Sequence, residues 1–139
     1  MSGYFFEDLS VGMTASVGKT ITEADIVLYS AVSTDTNPLH LNEESAAQSL
    51  FKGRIAHGML SAGLISAALG TKLPGPGAIY VAQSLRFRAP VRPGDTVTAT
   101  VEVTALDPER KRVSLRTTCF VKGKSVIEGE ASVQVPARP

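Results

Sequence analysis

The sequence predicts an α+β fold in which an antiparallel β-sheet wraps around one central helix. The run GMLSAGLISAALGTK at residues 58–72 has helical length, is rich in small and apolar residues and carries no charge before Lys72, which indicates a helix buried on most sides. Beyond the turn-forming PGPG at residues 74–77, alternating apolar residues and the turn signals RPGD, DPER and KGK indicate four long antiparallel strands. A sheet that covers one buried helix satisfies both patterns.

The shorter elements before the central helix follow from capping signals. A strand is expected near residues 15–21, and Thr22 followed by Asp25 has the pattern of a capping box, which starts a helix that reaches about Val32. Asn42 can cap a second, short helix in the run EESAAQSL, whose glutamates lie at its positive end. A loop separates these two helices.

One face of each C-terminal strand is expected to pack on the central helix, whose small residues allow close approach. The predicted inward-facing residues are Leu85, Phe87 and Ala89, then Val97, Ala99, Val101 and Val103, then Val113, Leu115, Thr117, Cys119 and Val121, and then Ile127, Gly129, Ala131, Val133 and Val135. Cys119 is accordingly interpreted as a small buried apolar residue.

Length and composition exclude several classes of protein. A chain of 139 residues favours a single domain, residues 1–139. Its 14 Lys and Arg nearly balance 13 Asp and Glu and are scattered, so nucleic acid is not an expected partner. No apolar run approaches the ~20 residues of a membrane span and the N-terminus does not resemble a signal peptide, so we expect a cytoplasmic protein without a membrane partner. One cysteine and two widely spaced histidines lack common zinc-site spacings, so no metal is expected.

The stretch AVSTDTNPLHLNEESA at residues 31–46 contains three residues with chemical potential: Asp35, Asn37 and His40. Pro38 excludes a regular helix between Asp35 and His40, because it disfavours helical backbone at the residue before it and lacks an amide hydrogen. A shaped loop can turn a carboxylate and an imidazole toward one water molecule, which is the minimum equipment for moving protons between water and an activated carbon. The alternative is that Asp35 and Asn37 only form local turns with the backbone, while His40 has a capping role.

The segment KGRIAHGML adds a third chemical group to this pair. It places His57 and Gly58 at the predicted N-terminus of the central helix, where free N–H groups and the helix dipole can receive a carbonyl oxygen that gains charge. His57 is interpreted as a structural residue that fixes the helix start. An acid–base pair and an oxyanion donor together are sufficient to move protons and to stabilise the charge on a carbonyl oxygen.

The stretch YSAVSTDTNPLHLNEESA resembles the signature of the (R)-specific enoyl-CoA hydratases of the MaoC-like hot-dog family. The signature residues present are Tyr29, Val32, Ser33, Asp35, Asn37, Pro38, Leu39, His40 and Ala46. Thr34 stands where the family usually has glycine, which adopts a positive φ more easily than threonine. The resemblance continues through IAHGML, LPGPGAIYVAQSLRFRAPVRPGD and GEASV, and so covers nearly the whole chain.

The resemblance implies a hot-dog fold, a homodimer and the addition of water to a trans-2-enoyl-CoA to give an (R)-3-hydroxyacyl-CoA, with no cofactor. It implies that Asp35 and His40 hold the catalytic water and that Asn37 orients them. The Gly58 N–H would polarise the thioester carbonyl.

Substrate contacts are less sharply indicated. The resemblance places Ser66 near the catalytic carboxylate, and Leu69, three positions farther along the helix, is expected to limit the acyl pocket to short chains. The basic residues available to the CoA phosphates are Arg54, Arg86, Arg88 and Arg92. The pathway served, such as fatty-acid metabolism or the supply of polyhydroxyalkanoate monomers, stays open.

Two alternative functions also stay open: a hydratase or dehydratase that acts on acyl-carrier-protein thioesters, and a non-catalytic acyl-CoA-binding hot-dog subunit. Thioesterases and fatty-acid dehydratases of this fold often carry a catalytic carboxylate on the central helix, whereas residues 58–72 contain none. Retention of Asp35, Asn37 and His40 together argues against the non-catalytic subunit.

Overall fold

The computed structural model describes residues 3–139, which form one five-stranded antiparallel sheet packed on a central helix. After a 3-10 helix at Phe6–Asp8, the elements are β1 (Thr14–Thr20), α1 (Glu23–Ser33), α2 (Pro38–Leu41), α3 (Glu43–Ala47), α4 (Gly58–Thr71), β2 (Ile79–Phe87), β3 (Thr96–Asp107), β4 (Arg112–Val121) and β5 (Lys124–Gln134). The predicted α+β arrangement is confirmed. The first strand and the central helix end within one residue of their predicted bounds.

The sheet has its strands in the order β1-β3-β4-β5-β2, so β1 and β2 form its two edges. On β3, β4 and β5 the predicted inward-facing positions are at most 2% exposed at Val97, Ala99, Val101, Val103, Val113, Leu115, Thr117, Cys119, Ile127, Ala131, Val133 and Val135. The prediction is wrong at Ala89, which is exposed, whereas Phe87 does turn its ring toward Gly58 at the start of the central helix but stays 53% exposed. β2 has only one neighbouring strand, and Ala89 lies beyond its end.

The central helix α4 packs on the sheet along one side only. Its buried residues are Ser61, Ala62, Ile65, Ala68 and Leu69. The residues at Met59, Gly63, Ser66 and Gly70 are exposed and follow one another at spacings of three and four, which places them on one stripe. The expectation of burial on most sides is therefore wrong for the single chain. Within residues 3–139, every helix is too short or too polar to cross a bilayer.

Helix α1 begins at the predicted capping box. The Thr22 hydroxyl accepts a hydrogen bond from the Asp25 N–H at 3.1 Å, and the Asp25 carboxylate accepts one from the Thr22 N–H at 2.9 Å. The helix ends at Thr34, which has φ 65° and ψ 10°. This left-handed conformation is the one that glycine adopts readily and a β-branched residue does not.

The loop between α1 and α3 contains a short helix that the sequence did not predict. Asn37 has the expected non-helical backbone, but its side-chain oxygen accepts a hydrogen bond from the Leu39 N–H at 3.0 Å and so caps α2. Pro38 occupies the first position of this helix, where its missing N–H costs no hydrogen bond. The prediction that His40 lies in a non-helical loop is therefore wrong.

Replacing Thr34 by glycine is expected to raise the free energy of unfolding by up to about 1 kcal/mol, because glycine removes the Cβ that makes the left-handed conformation costly. Urea denaturation followed by circular dichroism measures the change. Thr36→Gly is the matched control, since Thr36 lacks a positive φ and glycine there only adds flexibility to the unfolded chain. Loss of stability in both variants would contradict the expectation.

Candidate active site

A cavity of about 410 Å³ lies between the start of α4, the α2 region and the segment that follows β2. Asp35, His40 and Gly58 all line it, together with apolar side chains that include Phe51, Phe87 and Val91 as well as Ile55, Met59 and Ile127. The structure therefore brings three of the predicted catalytic residues to one cavity, although Gly58 lies 18 positions beyond His40 in sequence.

His40 is held by a backbone carbonyl that fixes its tautomer. The residue is buried, and its Nδ1 lies 2.7 Å from the main-chain oxygen of Ile55. A carbonyl oxygen can only accept a hydrogen bond, so Nδ1 carries the proton and the lone pair of the neutral ring lies on Nε2. His40 can therefore accept a proton at Nε2 without giving up its anchor.

Asp35 is an exposed residue at the cavity, in a loop held by local hydrogen bonds. Its N–H donates to the Ser33 hydroxyl at 3.1 Å, and its carboxylate accepts from the Asn37 N–H at 3.3 Å. The Asn37 side chain caps α2 and does not line the cavity. Asn37 is therefore linked to Asp35 and to the α2 helix of His40 only through local hydrogen bonds, and its predicted orienting role stays a prediction.

His57 lies at the centre of this arrangement. Its side chain is buried, with 2% of the residue exposed. Its Nε2 lies 3.0 Å from the Asp35 main-chain oxygen and 3.1 Å from the Ser30 hydroxyl. Its ring stacks on that of His40, with centroids 3.9 Å apart, and packs at a tilt against Tyr29. His57 is the N-cap of α4, but its side chain makes no capping hydrogen bond, so its interpretation as the residue that fixes the helix start stays a prediction, and its contacts with Asp35 and His40 were missed.

Gly58 is the first residue of α4, where a backbone N–H has no partner within the helix. A Cβ at this position would lie 2.6 Å from Cδ1 of Phe87, closer than atoms approach in proteins. The glycine therefore lets the helix start approach an aromatic ring that lines the same cavity. Gly58 itself lines the cavity, as the predicted oxyanion role requires.

The two predicted substrate-binding residues lie outside this cavity. Ser66 is exposed on the open stripe of α4, and Leu69 is 2% exposed in the hydrophobic core. Because eight residues of helix rise about 12 Å, Ser66 is far along the axis from Gly58. The substrate contacts of Ser66 and Leu69 are not supported by the cavity of the single chain and stay predictions.

Ser61 was not singled out by the sequence, because a serine in a run of small residues carries no distinguishing pattern. It lines the cavity, is fully buried, and its hydroxyl has no hydrogen-bond partner among residues 3–139. A buried hydroxyl without a partner loses its hydrogen bonds to water and gains none.

Ser61→Ala is therefore expected to raise the free energy of unfolding by about 1 kcal/mol. Denaturation in urea measures the difference. Ser30→Ala is the control, because Ser30 is also a buried serine on a helix but its hydroxyl contacts His57. Destabilisation of Ser61→Ala as large as that of Ser30→Ala would mean that the Ser61 hydroxyl has a partner.

Asp35, His40 and His57 also have side-chain types that bind metals, with one potential ligand atom each within 4.8 Å of the others. The hydrogen bonds argue against a metal site. The His57 Nε2 donates to the Asp35 carbonyl, and its Nδ1 is buried from solvent. Two accessible ligands then remain, fewer than the three protein ligands of a catalytic zinc.

The candidate CoA-phosphate residues differ in availability. Arg54 is bound to Glu23 at 2.7 Å and to Glu43 at 2.9 Å, and its guanidinium holds the pKa of the Glu23 carboxyl below its ordinary value. Arg92 donates to the main-chain oxygens of Phe51 and Arg54. Arg88 pairs with Glu128 at 3.0 Å and lines the cavity. Within residues 3–139, Arg86 forms no salt bridge.

Comparison with known proteins identifies the family. Residues 10–129 match the family described as MaoC like domain. The chain belongs to the MaoC-like family. It is 67% identical over 135 residues to a curated (R)-specific enoyl-CoA hydratase of Rhodospirillum rubrum, covering 97% of this MaoC-like chain and 94% of the relative. It is 53% identical over 134 residues to a 3-hydroxybutyryl-CoA dehydratase of Methylorubrum extorquens, covering 96% and 85% of the two chains.

Solved structures of the MaoC-like family agree with the fold described above. An R-hydratase of Pseudomonas aeruginosa has a TM-score of 0.91 at 45% identity, covering 98% of this chain and 88% of that one. The (R)-hydratase of A. caviae involved in PHA biosynthesis has a TM-score of 0.90 at 45% identity, covering 94% and 99%. The predicted hot-dog fold is confirmed.

Proposed function

We propose that this chain is an (R)-specific enoyl-CoA hydratase, which adds water to a trans-2-enoyl-CoA to give an (R)-3-hydroxyacyl-CoA. The observation that carries the proposal is the convergence of Asp35, His40 and Gly58 on one cavity. The curated relatives support the choice of reaction and of stereochemistry, since the relative of 67% identity is named for this activity.

The proposed mechanism follows from the hydrogen bonds of the site. Asp35 and His40 hold one water molecule, and the unprotonated His40 Nε2 or the carboxylate takes a proton from it as its oxygen bonds to C3. The electron pair of the double bond moves toward the thioester oxygen, where the Gly58 N–H and the positive end of α4 stabilise the charge. A proton returned to C2 completes the product and regenerates the pair.

The reverse of this sequence removes water from a 3-hydroxyacyl-CoA through the same groups. A catalyst acts on both directions of a reaction, so a hydratase and a dehydratase of this type share one site. The similarity to a 3-hydroxybutyryl-CoA dehydratase therefore supports the same proposal. No electron transfer occurs in either direction, so the chemistry needs no redox cofactor.

Crotonyl-CoA tests the proposal when the conjugated enoyl absorbance and free thiol are followed together. Loss of absorbance without thiol release supports a hydratase, thiol release indicates a thioesterase, and neither indicates a binding subunit or a wrong acyl group. Little reaction of the protein's own thiol is expected, because Cys119 is fully buried and burial raises its pKa to about 11. Reaction of the folded protein alone with an aromatic disulfide gives the blank for this assay.

A second candidate substrate is the acyl-carrier-protein thioester. The chain is 37% identical over 132 residues to a mitochondrial 3-hydroxyacyl-[acyl-carrier-protein] dehydratase of Arabidopsis thaliana, covering 92% of this chain and 78% of that one. Crotonyl-CoA and crotonyl-carrier protein should be compared at equal concentration.

We propose Arg86 and Arg88 as the contacts of the CoA phosphates, so that replacing both by Gln weakens binding of crotonyl-CoA.

We also propose that the protein is a homodimer. The edge strand β2 exposes Ile79, Tyr80 and Val81, and an unpaired edge with apolar side chains is a surface that proteins usually cover. Pairing of β2 with the β2 strand of a second subunit would bury the β2 edge of each subunit. Sedimentation equilibrium tests the proposal, and a monomer mass in a preparation that retains hydratase activity would contradict it.

A cytoplasmic location is proposed for the protein on the basis of its curated bacterial relatives. The names of those relatives specify acyl-CoA thioesters as substrates, and such thioesters are made and used inside cells. Fractionation of expressing cells, with the crotonyl-CoA assay applied to each fraction, tests the location.

A further inference from the structure

His57 contacts both members of the proposed acid–base pair. Its Nε2 lies 3.0 Å from the main-chain oxygen of Asp35, and its ring stacks on that of His40 at 3.9 Å. It is also the residue directly before Gly58, as the N-cap of α4. One buried residue therefore adjoins all three residues to which the proposed function assigns chemistry, through its side chain at Asp35 and His40 and through the peptide chain at Gly58.

The hydrogen bonds give the two stacked rings opposite tautomers. The Asp35 carbonyl can only accept, so His57 carries its proton on Nε2, whereas His40 carries its proton on Nδ1 against the Ile55 carbonyl. The His57 Nδ1 is buried and has no partner among residues 3–139. The only proton of the neutral His57 ring thus faces the Asp35 carbonyl and the Ser30 hydroxyl, and the ring presents no proton to the cavity.

The loop of Asp35 needs such an anchor. Its other hydrogen bonds are to Ser33 and Asn37, two residues away on either side, and it follows the left-handed residue Thr34. Local bonds of this kind shape a loop but do not tie it to the rest of the protein. The bond from His57 spans 22 positions and joins the loop to the start of α4.

We propose that His57 is a positioning residue for the hydration, whose Nε2–H places the Asp35 loop and whose ring sets the plane of the His40 imidazole. The inference rests on the proposed function, because the reaction that His57 serves is the one assigned to Asp35 and His40. It adds a residue that acts through these two groups and does not itself touch the reacting atoms.

Two substitutions separate the hydrogen bond from the stacking. His57→Phe keeps an aromatic ring against His40 but removes the donor, whereas His57→Gln keeps an N–H at about the position of Nε2 but removes the ring. We expect His57→Phe to lower kcat by about 10- to 100-fold with KM changed less than about threefold, because a small misplacement of catalytic groups costs rate and not binding. We expect His57→Gln to recover at least about fivefold of that loss.

A double variant tests whether His57 acts through Asp35. If it does, adding His57→Phe to Asp35→Asn lowers kcat by less than about threefold further, because the group that it positions is already inactive. General damage to the fold would instead multiply the two losses. Thermal unfolding of each variant shows whether the fold is kept.

The tautomers are measured on the unmodified protein by ¹⁵N NMR of the imidazole groups, so this part of the test does not depend on a variant that folds. The chain has only two histidines, and we expect a proton on Nε2 of one and on Nδ1 of the other. The same tautomer in both histidines would overturn the inference. So would a His57→Phe enzyme whose kcat is within threefold of the parent, or equal losses of kcat in the His57→Phe and His57→Gln variants. Multiplicative losses of kcat in the double variant would also overturn it. Failure of the unmodified protein to hydrate crotonyl-CoA and other enoyl thioesters would refute the proposed function, while opposite tautomers would still support the arrangement of His57.

Discussion

Asp35→Asn and His40→Gln are each expected to lower kcat for the hydration of crotonyl-CoA by at least about 100-fold. Both changes keep the size and polarity of the side chain and remove its ability to exchange a proton, and a positioned acid or base contributes roughly 10²- to 10⁴-fold to rate. Steady-state kinetics with each purified variant gives the effect. The double variant should be little slower than the slower single variant, since both groups act on one water molecule.

The control for this pair is Glu44→Gln, which neutralises an exposed carboxylate of α3 away from the cavity. Its kcat should equal that of the parent protein. Circular dichroism spectra of all variants should coincide, because none of the changes alters the volume of the core. A near-normal kcat in either Asp35→Asn or His40→Gln would remove that residue from the mechanism.

Gly58→Ala is expected to lower kcat/KM by about 100-fold. The added Cβ would lie 2.6 Å from Cδ1 of Phe87, so that either the ring or the helix start must move, and both line the cavity. Displacement of the Gly58 N–H weakens the stabilisation of the developing oxyanion, and loss of one such donor costs ~10²- to 10³-fold. Initial rates at low crotonyl-CoA concentration give the ratio directly.

Two further variants identify the cause of this loss. Gly70→Ala adds a methyl group to the same helix where nothing lies within 4 Å, so its activity should be unchanged. Phe87→Ala in the Gly58→Ala background removes the ring that the methyl group would strike, and should restore part of the lost activity. An active Gly58→Ala enzyme would mean that the Phe87 ring turns aside and that the helix start is not held as tightly as its contacts indicate.

Regular alternation predicts the interior of this fold well because it reports local geometry. In β3 and β4, residues such as Val97, Val101 and Leu115 face the core because a strand turns every second side chain to the same side. The capping box at Thr22 is equally local, since both of its hydrogen bonds join residues three positions apart. Patterns of this kind are complete within one short stretch of chain.

The errors fall where the neighbour in space is distant in sequence. Phe87 alternates correctly for an inward position, but the edge location of β2 leaves it at the cavity and partly exposed. The error over Pro38 is an exception with a local cause, because the rule for a proline inside a helix differs from the rule for a proline at its first position.

The candidate site was likewise predictable only in part. Asp35 and His40 share one short motif, and Gly58 follows from the start of a helix with small residues. The stacking of His57 on His40 joins segments 17 positions apart, and no periodic pattern reports such a contact. Ser66 was chosen from the resemblance and Leu69 from its helical spacing to Ser66; the cavity of the single chain opens at the helix start, and both contacts stay predictions.

The salt bridges of Arg54 bear on which part of the protein unfolds first. Its guanidinium bridges Glu23 of α1 and Glu43 of α3. It thereby joins the two ends of residues 23–47, a helical segment that carries both Asp35 and His40 and contributes no strand to the sheet. The tie is polar and close to solvent, whereas β3 and β4 are held by a continuous apolar interior. Of residues 23–47 only Ile26 belongs to the hydrophobic core cluster, so we expect this segment, which carries the proposed catalytic residues Asp35 and His40, to be less stable than the sheet. We therefore expect amide protons of α1 to α3 to exchange with solvent faster than those of β3 and β4, and activity to be lost before the sheet unfolds.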